Sequence, residues 1–299
     1  MHTVRPVSNH LCQLGEGPLW DPLQEVLYWI DSLVPCLFEF DYRTGYTKVF
    51  ELPGKTVGSL CVRAEGGLIL AMDQGFYTFD TQSNVCEVIS EPLAVRKGLR
   101  FNDGKVDRTG GFLAGAMPID YHNNENCPVY RLAPNGTICE LLDGFMCVNG
   151  PCFSHDGSQL FITGRTSGVI ETASYCNGKI LGPLKTLIAG LNPDGATVDS
   201  EGYIWSAQWD TSCVLRISQD GEICDRIELA GHIVSSVMFG GPLLDILFVT
   251  TVGSSVWGSV ATSPNMLQMM CGNRPCSEST TCSSIEEYWD IAVDDLCPI

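Results

Sequence analysis

Pro18-Leu19-Trp20-Asp21 and, after a short turn, Leu27-Tyr28-Trp29-Ile30-Asp31 are the first copy of a unit that recurs along the chain. Each copy is an apolar strand, a turn rich in Asp and Gly, a second strand ending in aromatic or β-branched residues, and then a third. Later copies pair Leu60-Cys61-Val62 with Gly67-Leu68-Ile69-Leu70-Ala71, and Gly104-Lys105-Val106-Asp107 with Phe112-Leu113-Ala114-Gly115. Pro151-Cys152-Phe153-Ser154 leads into Gln159-Leu160-Phe161-Ile162, and Ala196-Thr197-Val198-Asp199 into Tyr203-Ile204-Trp205-Ser206. The sixth runs from Ser236-Val237-Met238-Phe239 to Ile246-Leu247-Phe248-Val249. A spacing of about 41 to 47 residues is the length of a four-stranded propeller blade. Asp156-Gly157 and Glu201-Gly202 fit as hairpin turns, and helical periodicity is nearly absent. The expected fold is therefore an all-β, six-bladed β-propeller.

That architecture accounts for the length. The 299 residues would otherwise suggest two domains, but a closed all-β ring uses them as one, and 44% hydrophobic residues supply its core. We expect a single propeller domain over residues 1–260 and a polar, cysteine-containing tail over 261–299, packed on or completing the last blade. The segment from Val4 to Leu11 is the expected source of a closing strand, because ring closures commonly mix both termini.

Asp plus Glu outnumber Lys plus Arg by 35 to 17, a formal net charge of −18. With no basic patch, this argues against nucleic-acid binding. The same charge attracts cations and helps expel an anionic product. Met1 to Gln13 lacks the apolar run of a secretory signal, and no segment approaches the roughly 20 apolar residues that span a bilayer. The expectation is a cytoplasmic protein without a membrane partner. Of 15 cysteines, most sit singly on apolar runs, as Cys61 and Cys213 do, where a thiol behaves as a small buried hydrophobe. Cys271, Cys276, Cys282 and Cys297 lie in the polar tail and could hold a disulfide or, less readily, zinc.

Three segments set an oxygen-bearing side chain beside a glycine: Leu14-Gly15-Glu16-Gly17-Pro18, Val148-Asn149-Gly150-Pro151 and Asn192-Pro193-Asp194-Gly195. Alone, each is an ordinary turn. Together, Glu16, Asn149 and Asp194 are the ligand types that a hard cation takes, and glycine permits the tight backbone needed to aim them. Each precedes the strand core of its copy by about two to four residues, so the repeat predicts that all three converge on one end of the channel. The same logic adds Arg100-Phe101-Asn102-Asp103 before the third copy. The five histidines show no ligand spacing; His122 is the one whose loop is expected near the channel mouth. Trp205 is expected in the core, and Trp209 there or in a pocket wall. No Gly-x-Ser-x-Gly elbow is present, which disfavours a covalent hydrolase.

At these residues the chain resembles the senescence marker protein, regucalcin and gluconolactonase family of six-bladed propellers, over roughly residues 10 to 255. The resemblance rests on the segments around Glu16 and Asn149, on Arg100-Phe101-Asn102-Asp103-Gly104-Lys105-Val106-Asp107, on Pro193-Asp194-Gly195 with Val198-Asp199-Ser200-Glu201-Gly202, and on Phe239-Gly240-Gly241-Pro242. It implies one divalent cation held by Glu16, Asn149 and Asp194, with Ca²⁺ first and Mg²⁺, Mn²⁺, Zn²⁺ or Fe²⁺ as alternatives. It further implies substrate contacts from Arg100, Asn102 and Asp120. The implied activity is hydrolysis of a sugar-acid lactone, a small-molecule substrate, with Asp194 as general base. The alternatives are a phosphotriester or activated-ester hydrolase using the same site, or a calcium-binding propeller without turnover. Two departures bear on substrate identity: Thr163-Gly164-Arg165-Thr166 replaces a Thr-Asp-Ser turn, and Tyr121-His122-Asn123-Asn124-Glu125-Asn126-Cys127-Pro128 replaces a Gly-rich approach.

Overall fold

The computed structural model describes residues 2–120, 125–164, 166–253 and 256–260. Every regular element among them is a strand. After β1 (Thr3–Pro6), blade 1 comprises β2 (Gly15–Asp21), β3 (Val26–Asp31), β4 (Cys36–Asp41) and β5 (Thr47–Glu51). Blade 2 has β6 (Val57–Val62), β7 (Leu68–Met72), β8 (Gly75–Asp80) and β9 (Val85–Ser90). Blade 3 has β10 (Leu99–Val106), β11 (Phe112–Pro118), β12 (Cys127–Leu132) and β13 (Ile138–Phe145). Blade 4 has β14 (Asn149–Phe153), β15 (Gln159–Thr163), β16 (Val169–Cys176) and β17 (Lys179–Ala189), and blade 5 has β18 (Pro193–Val198), β19 (Ile204–Gln208), β20 (Cys213–Ile217) and β21 (Ile223–Glu228). Blade 6 is β22 (Ile233–Gly240), β23 (Ile246–Val252) and β24 (Trp257–Val260), completed by β1.

Each blade is an antiparallel meander, and the first strand of each packs against the first strand of the next around a closed ring. The six-bladed β-propeller read from the repeat is thus the fold. Closure joins the two ends of the described chain: Thr3 pairs with Val260 and Pro6 with Trp257, and Val7 N–H donates to the Val256 carbonyl at 2.9 Å. The closing strand lies at Thr3–Pro6, at the near edge of the segment expected to supply it. Residues 261–299, with their cysteine cluster, fall outside the described residues.

The burial pattern explains why the repeat is audible. β3, β7 and β11 are buried at every position because both faces of a blade pack on neighbouring blades, and such strands read as continuous apolar runs. The outermost strands β5, β9, β17 and β21 are largely exposed, and each carries at least one charged residue, which protects the open edges. The core therefore forms wedges between blades. Trp29 stacks on Phe38 within one of them at 4.9 Å between ring centroids.

Asp residues close the hairpins at the far end of the channel. Asp107 Oδ1 accepts N–H bonds from Thr109 (2.8 Å) and Gly111 (2.9 Å), and Asp199 Oδ1 does the same for Glu201 (3.0 Å) and Tyr203 (2.9 Å). Each carboxylate also pairs with an arginine on the third strand of its own blade, Asp107 with Arg131 at 2.6 Å and Asp199 with Arg216 at 2.7 Å. Tyr175 Oη of blade 4 donates to Asp107 Oδ2 at 2.6 Å, tying two blades together.

Burial alone would raise the Asp107 pKa, but the donors from Arg131, Tyr175, Thr109 and Gly111 outweigh it and hold the group below the ordinary carboxylate value. A depressed folded-state pKa contributes stability above the unfolded value, about 3.9, and loses it as pH falls through the folded value. Asp107→Asn leaves Arg131 buried without its counter-charge. The expected cost is about 3–5 kcal/mol near neutral pH, measured by urea unfolding. The gap between wild type and variant should stay constant above about pH 5 and narrow below about pH 4.

Candidate functional site

The first strand of every blade carries one extra residue relative to its partner. Register slips occur between Glu16 and Leu19, Val57 and Ser59, Phe101 and Gly104, Asn149 and Cys152, Pro193 and Ala196, and Val234 and Ser236. A β-bulge bends the strand and re-aims its side chains. Six bulges at equivalent positions make a collar at one end of the channel. Glu16, Asn102, Asn149 and Asp194 all lie at or in these bulges, so they belong to strands and not, as the sequence suggested, to loops entering them. Gly17 and Gly150 sit at φ +54° and +55°, which glycine adopts without strain. A Cβ on Gly150 would lie 2.5 Å from the Asp194 carbonyl oxygen, so this glycine also lets blades 4 and 5 close up.

The polar contacts run from blade to blade. Asn102 Nδ2 donates to Asn149 Oδ1 (2.5 Å) and to the Val148 carbonyl (2.9 Å). Asp103 Oδ2 accepts from Gly150 N–H (2.8 Å) and Asp103 Oδ1 from Gly104 N–H (2.7 Å). Among the described residues Glu16 Oε2 accepts only from its neighbour Gly17 N–H, at 3.2 Å. Among the described residues no hydrogen bond or ion pair reaches the Asp194 carboxylate, which is 6% exposed.

Electrostatics connects these groups. Burial raises the Glu16 pKa well above its ordinary value, and the Asp194 and Asp103 carboxylates raise it further, while Arg100 opposes them. Burial and then Asp103 raise Asp194 in the same sense. Asp103 is also raised by burial, and Lys105 is the principal counter-influence. Cys147, whose Sγ lies 3.7 Å from Asn102 Nδ2 and 3.8 Å from Asn149 Nδ2, is pushed up to about 12 by burial and by Asp194.

Three carboxylates share one region, and Asp194 is buried without a donor. Desolvated like charges of this kind are costly unless a cation joins them. All the candidate donors are oxygens, as hard divalent cations require. Among the described residues no three His, Cys, Asp or Glu side chains form a ready cation cage. The expected set has only two acidic members and an amide, which leaves open positions for water or substrate. The residues present fit a divalent cation on these grounds.

Arg100 is buried, with Nη1 on the Phe101 carbonyl at 2.9 Å, beside Glu16. Asp120 is different: it is exposed and lies two residues past β11 on the rim. Trp209 is half-buried at the same end, its N–H on the Asn192 carbonyl at 2.9 Å, whereas Trp205 is core, its indole N–H on Asp199. His122 and Arg165 lie outside the described residues. His2 pairs with Asp225, His10 packs on Phe38 and His232 on Trp257, all away from the cluster. The described residues include eleven free cysteines, with Cys61 and Cys213 fully buried.

Asp103 and Cys147 were not assigned from sequence. Asp103 stood in a quoted motif, but Asp-Gly reads as a plain turn until the bulge shows where it points. Cys147 offered no signal beyond lying two residues before Asn149.

The family model for the SMP-30/Gluconolactonase/LRE-like region matches residues 14–253. The chain is 32% identical over 268 residues to pentonolactonase XacC of Haloferax volcanii, covering 86% of this chain and 88% of that one. It is also 32% identical over 256 residues to the 6-deoxy-6-sulfogluconolactonase of Pseudomonas putida, covering 83% and 87%. Among solved structures, a calcium-binding regucalcin from Agrobacterium tumefaciens superposes with a TM-score of 0.81 at 24% identity, over 87% of this chain and 94% of that one, a likeness of fold. On the breadth of the model match and of the two lactonase alignments, the chain belongs to the SMP-30/gluconolactonase/LRE-like family.

Proposed function

We propose that this protein is a lactonase that hydrolyses a sugar-acid lactone to the open-chain acid with the help of one divalent cation, Ca²⁺ first among the candidates. The observation that carries the proposal is the buried Asp194 carboxylate, which receives no donor among the described residues, beside Glu16, Asp103 and the Asn102–Asn149 amide pair. The hydrolase class is supported by the two lactonases that share about a third of their residues with this chain over most of its length.

Glu16, Asn149 and Asp194 would hold the cation by oxygen. When bound, it supplies Lewis-acid polarisation of the lactone carbonyl. The remaining work falls to the chain. Asp194 accepts a proton from the attacking water and returns it to the ring oxygen as the ester C–O bond breaks, and burial together with the Asp103 charge makes it a stronger base than an exposed carboxylate. The Arg100 guanidinium is a donor for a ring hydroxyl or the carbonyl, orienting the ester carbon toward the water, and Asn102, whose two amide hydrogens are used on Asn149 and Val148, offers its Oδ1 as acceptor to a ring hydroxyl. Asp120 on the rim accepts from a sugar hydroxyl. The acidic surface favours departure of the anionic product. Cytoplasmic location is compatible with this chemistry; no helix of the described residues is long and apolar enough to cross a membrane.

Acid release from a panel of aldonolactones at mildly acidic pH should exceed the spontaneous rate, stop after chelation and return on adding Ca²⁺ or another divalent ion. Hydrolysis at the spontaneous rate by cation-loaded protein across the panel would overturn the reading. Asp194→Ala removes ligand and base together, and kcat/KM should fall at least about 10²-fold. Asp120→Ala should raise KM several-fold and leave kcat nearly unchanged, as expected of a group that contributes only to binding.

A further inference from the structure

Blades 2 and 6 contribute none of the proposed ligands or substrate contacts, and their bulges differ from the others. In blades 1, 3, 4 and 5 the first strand advances three residues against two on its partner. In blades 2 and 6 it advances two against one, from Val57 to Ser59 and from Val234 to Ser236. Both tighter bulges carry a serine whose hydroxyl leaves its own blade. Ser235 Oγ donates to the Gly15 carbonyl of blade 1 at 2.5 Å, and Ser59 Oγ donates to the Asn102 carbonyl of blade 3 at 2.9 Å. Both serines are buried, at 0% and 1% exposure.

The two carbonyls are not arbitrary. The Gly15 carbonyl belongs to the peptide that enters Glu16, and fixing that plane fixes the direction of the Glu16 side chain; glycine would otherwise leave it free to rotate. The Asn102 carbonyl belongs to the peptide joining Asn102 to Asp103, the two residues that hold Asn149 and Gly150. Thr250 Oγ1 supports Ser235 at 3.0 Å. Close packing keeps the donors near: a Cβ on Gly104 would lie 2.6 Å from Ser59 Oγ, and one on Gly58 2.4 Å from the Asn102 carbonyl oxygen.

We infer that Ser235 and Ser59 are positioning residues: Ser235 orients Glu16 toward the cation, and Ser59 holds Asn102, which bonds to the proposed ligand Asn149 and is itself a proposed substrate contact. The inference rests on the proposed lactonase site. Partners of this kind, one bond behind the ligand, govern affinity without touching the ion.

The test is a crossed comparison on the full-length protein. Ca²⁺ affinity is measured by titration calorimetry on chelator-stripped protein, and KM for an aldonolactone is measured at saturating Ca²⁺. Ser235→Ala should weaken Ca²⁺ binding about 10-fold or more and leave KM within about threefold. Ser59→Ala should shift both constants, raising KM about 10-fold through Asn102 and weakening Ca²⁺ binding about 10-fold through the Asn102–Asn149 bond. Ser235→Thr and Ser59→Thr keep the hydroxyl and should restore most of each loss. Ser154→Ala removes a buried hydroxyl at the far end of the channel; it should lower Tm and move neither constant. If an alanine variant does not fold, Ser→Cys, which keeps the size and weakens the donor, gives the same comparison against Ser→Thr. A KM shift in Ser235→Ala as large as its Kd shift, an unchanged KM or Kd in Ser59→Ala, or no shift in either variant would overturn the inference while wild-type binding and turnover leave the lactonase reading intact. Wild-type protein that takes up no Ca²⁺ and turns over no lactone would overturn both.

Discussion

Buried carboxylates repel one another, and the collar at one end of this propeller holds Glu16, Asp103 and Asp194 within electrostatic reach, opposed by Arg100, Lys105 and the backbone N–H groups of Gly17, Gly104 and Gly150. A flexible loop would relax by swinging its acid into water. Strands locked between neighbouring blades cannot. The repulsion is carried by the interlocked wedges of core between blades, which hold the collar in place whether or not a cation is bound. The proposed affinity for a cation would follow from that constraint, because a divalent ion would remove a repulsion that the fold otherwise sustains.

The bulge converts a repetitive scaffold into a site. One added residue per first strand changes which side chains face the channel, and the same insertion in six blades gives six opportunities for a functional group. Blades 1, 4 and 5 use theirs for the proposed ligands, blade 3 for Asn102 and Asp103, and blades 2 and 6 for serines that bond to the neighbouring backbone. The bonds run across blade boundaries, so a ligand from one blade is held by the next. Ring closure by β1 and β24 therefore bears on the site as well as on stability: blade 6, which this pairing completes, reaches Glu16 through Ser235 and Gly15.

Much of the fold was legible because the second strand of each blade is buried on both faces, so stretches such as Leu27-Tyr28-Trp29-Ile30 and Leu68-Ile69-Leu70-Ala71 announce themselves and their spacing counts the blades. The outer strands were silent, since residues such as Lys179 to Ala189 in β17, with Gly182, Pro183 and two lysines among the apolar residues and no strict alternation of burial, suit a loop equally well. Closure was half legible: a strand near the N-terminus was anticipated, but its bounds, Thr3–Pro6, depend on pairing with β24. At the site, Glu16, Asn149 and Asp194 could be picked out because each oxygen sits beside a glycine at a repeated position. Asp103, Ser59 and Ser235 could not, because an Asp-Gly pair and a serine in an apolar strand have ordinary explanations. A one-residue slip in register leaves no mark on composition, and the positioning contacts follow from that slip.

The most direct measurement is anomalous X-ray diffraction from crystals soaked in Mn²⁺, a hard divalent ion with a usable signal. The account predicts one strong peak at the collar end of the channel, within bonding distance of oxygens from Glu16, Asn149 and Asp194. No peak there, or a peak bound elsewhere with those three side chains pointing apart, would contradict it.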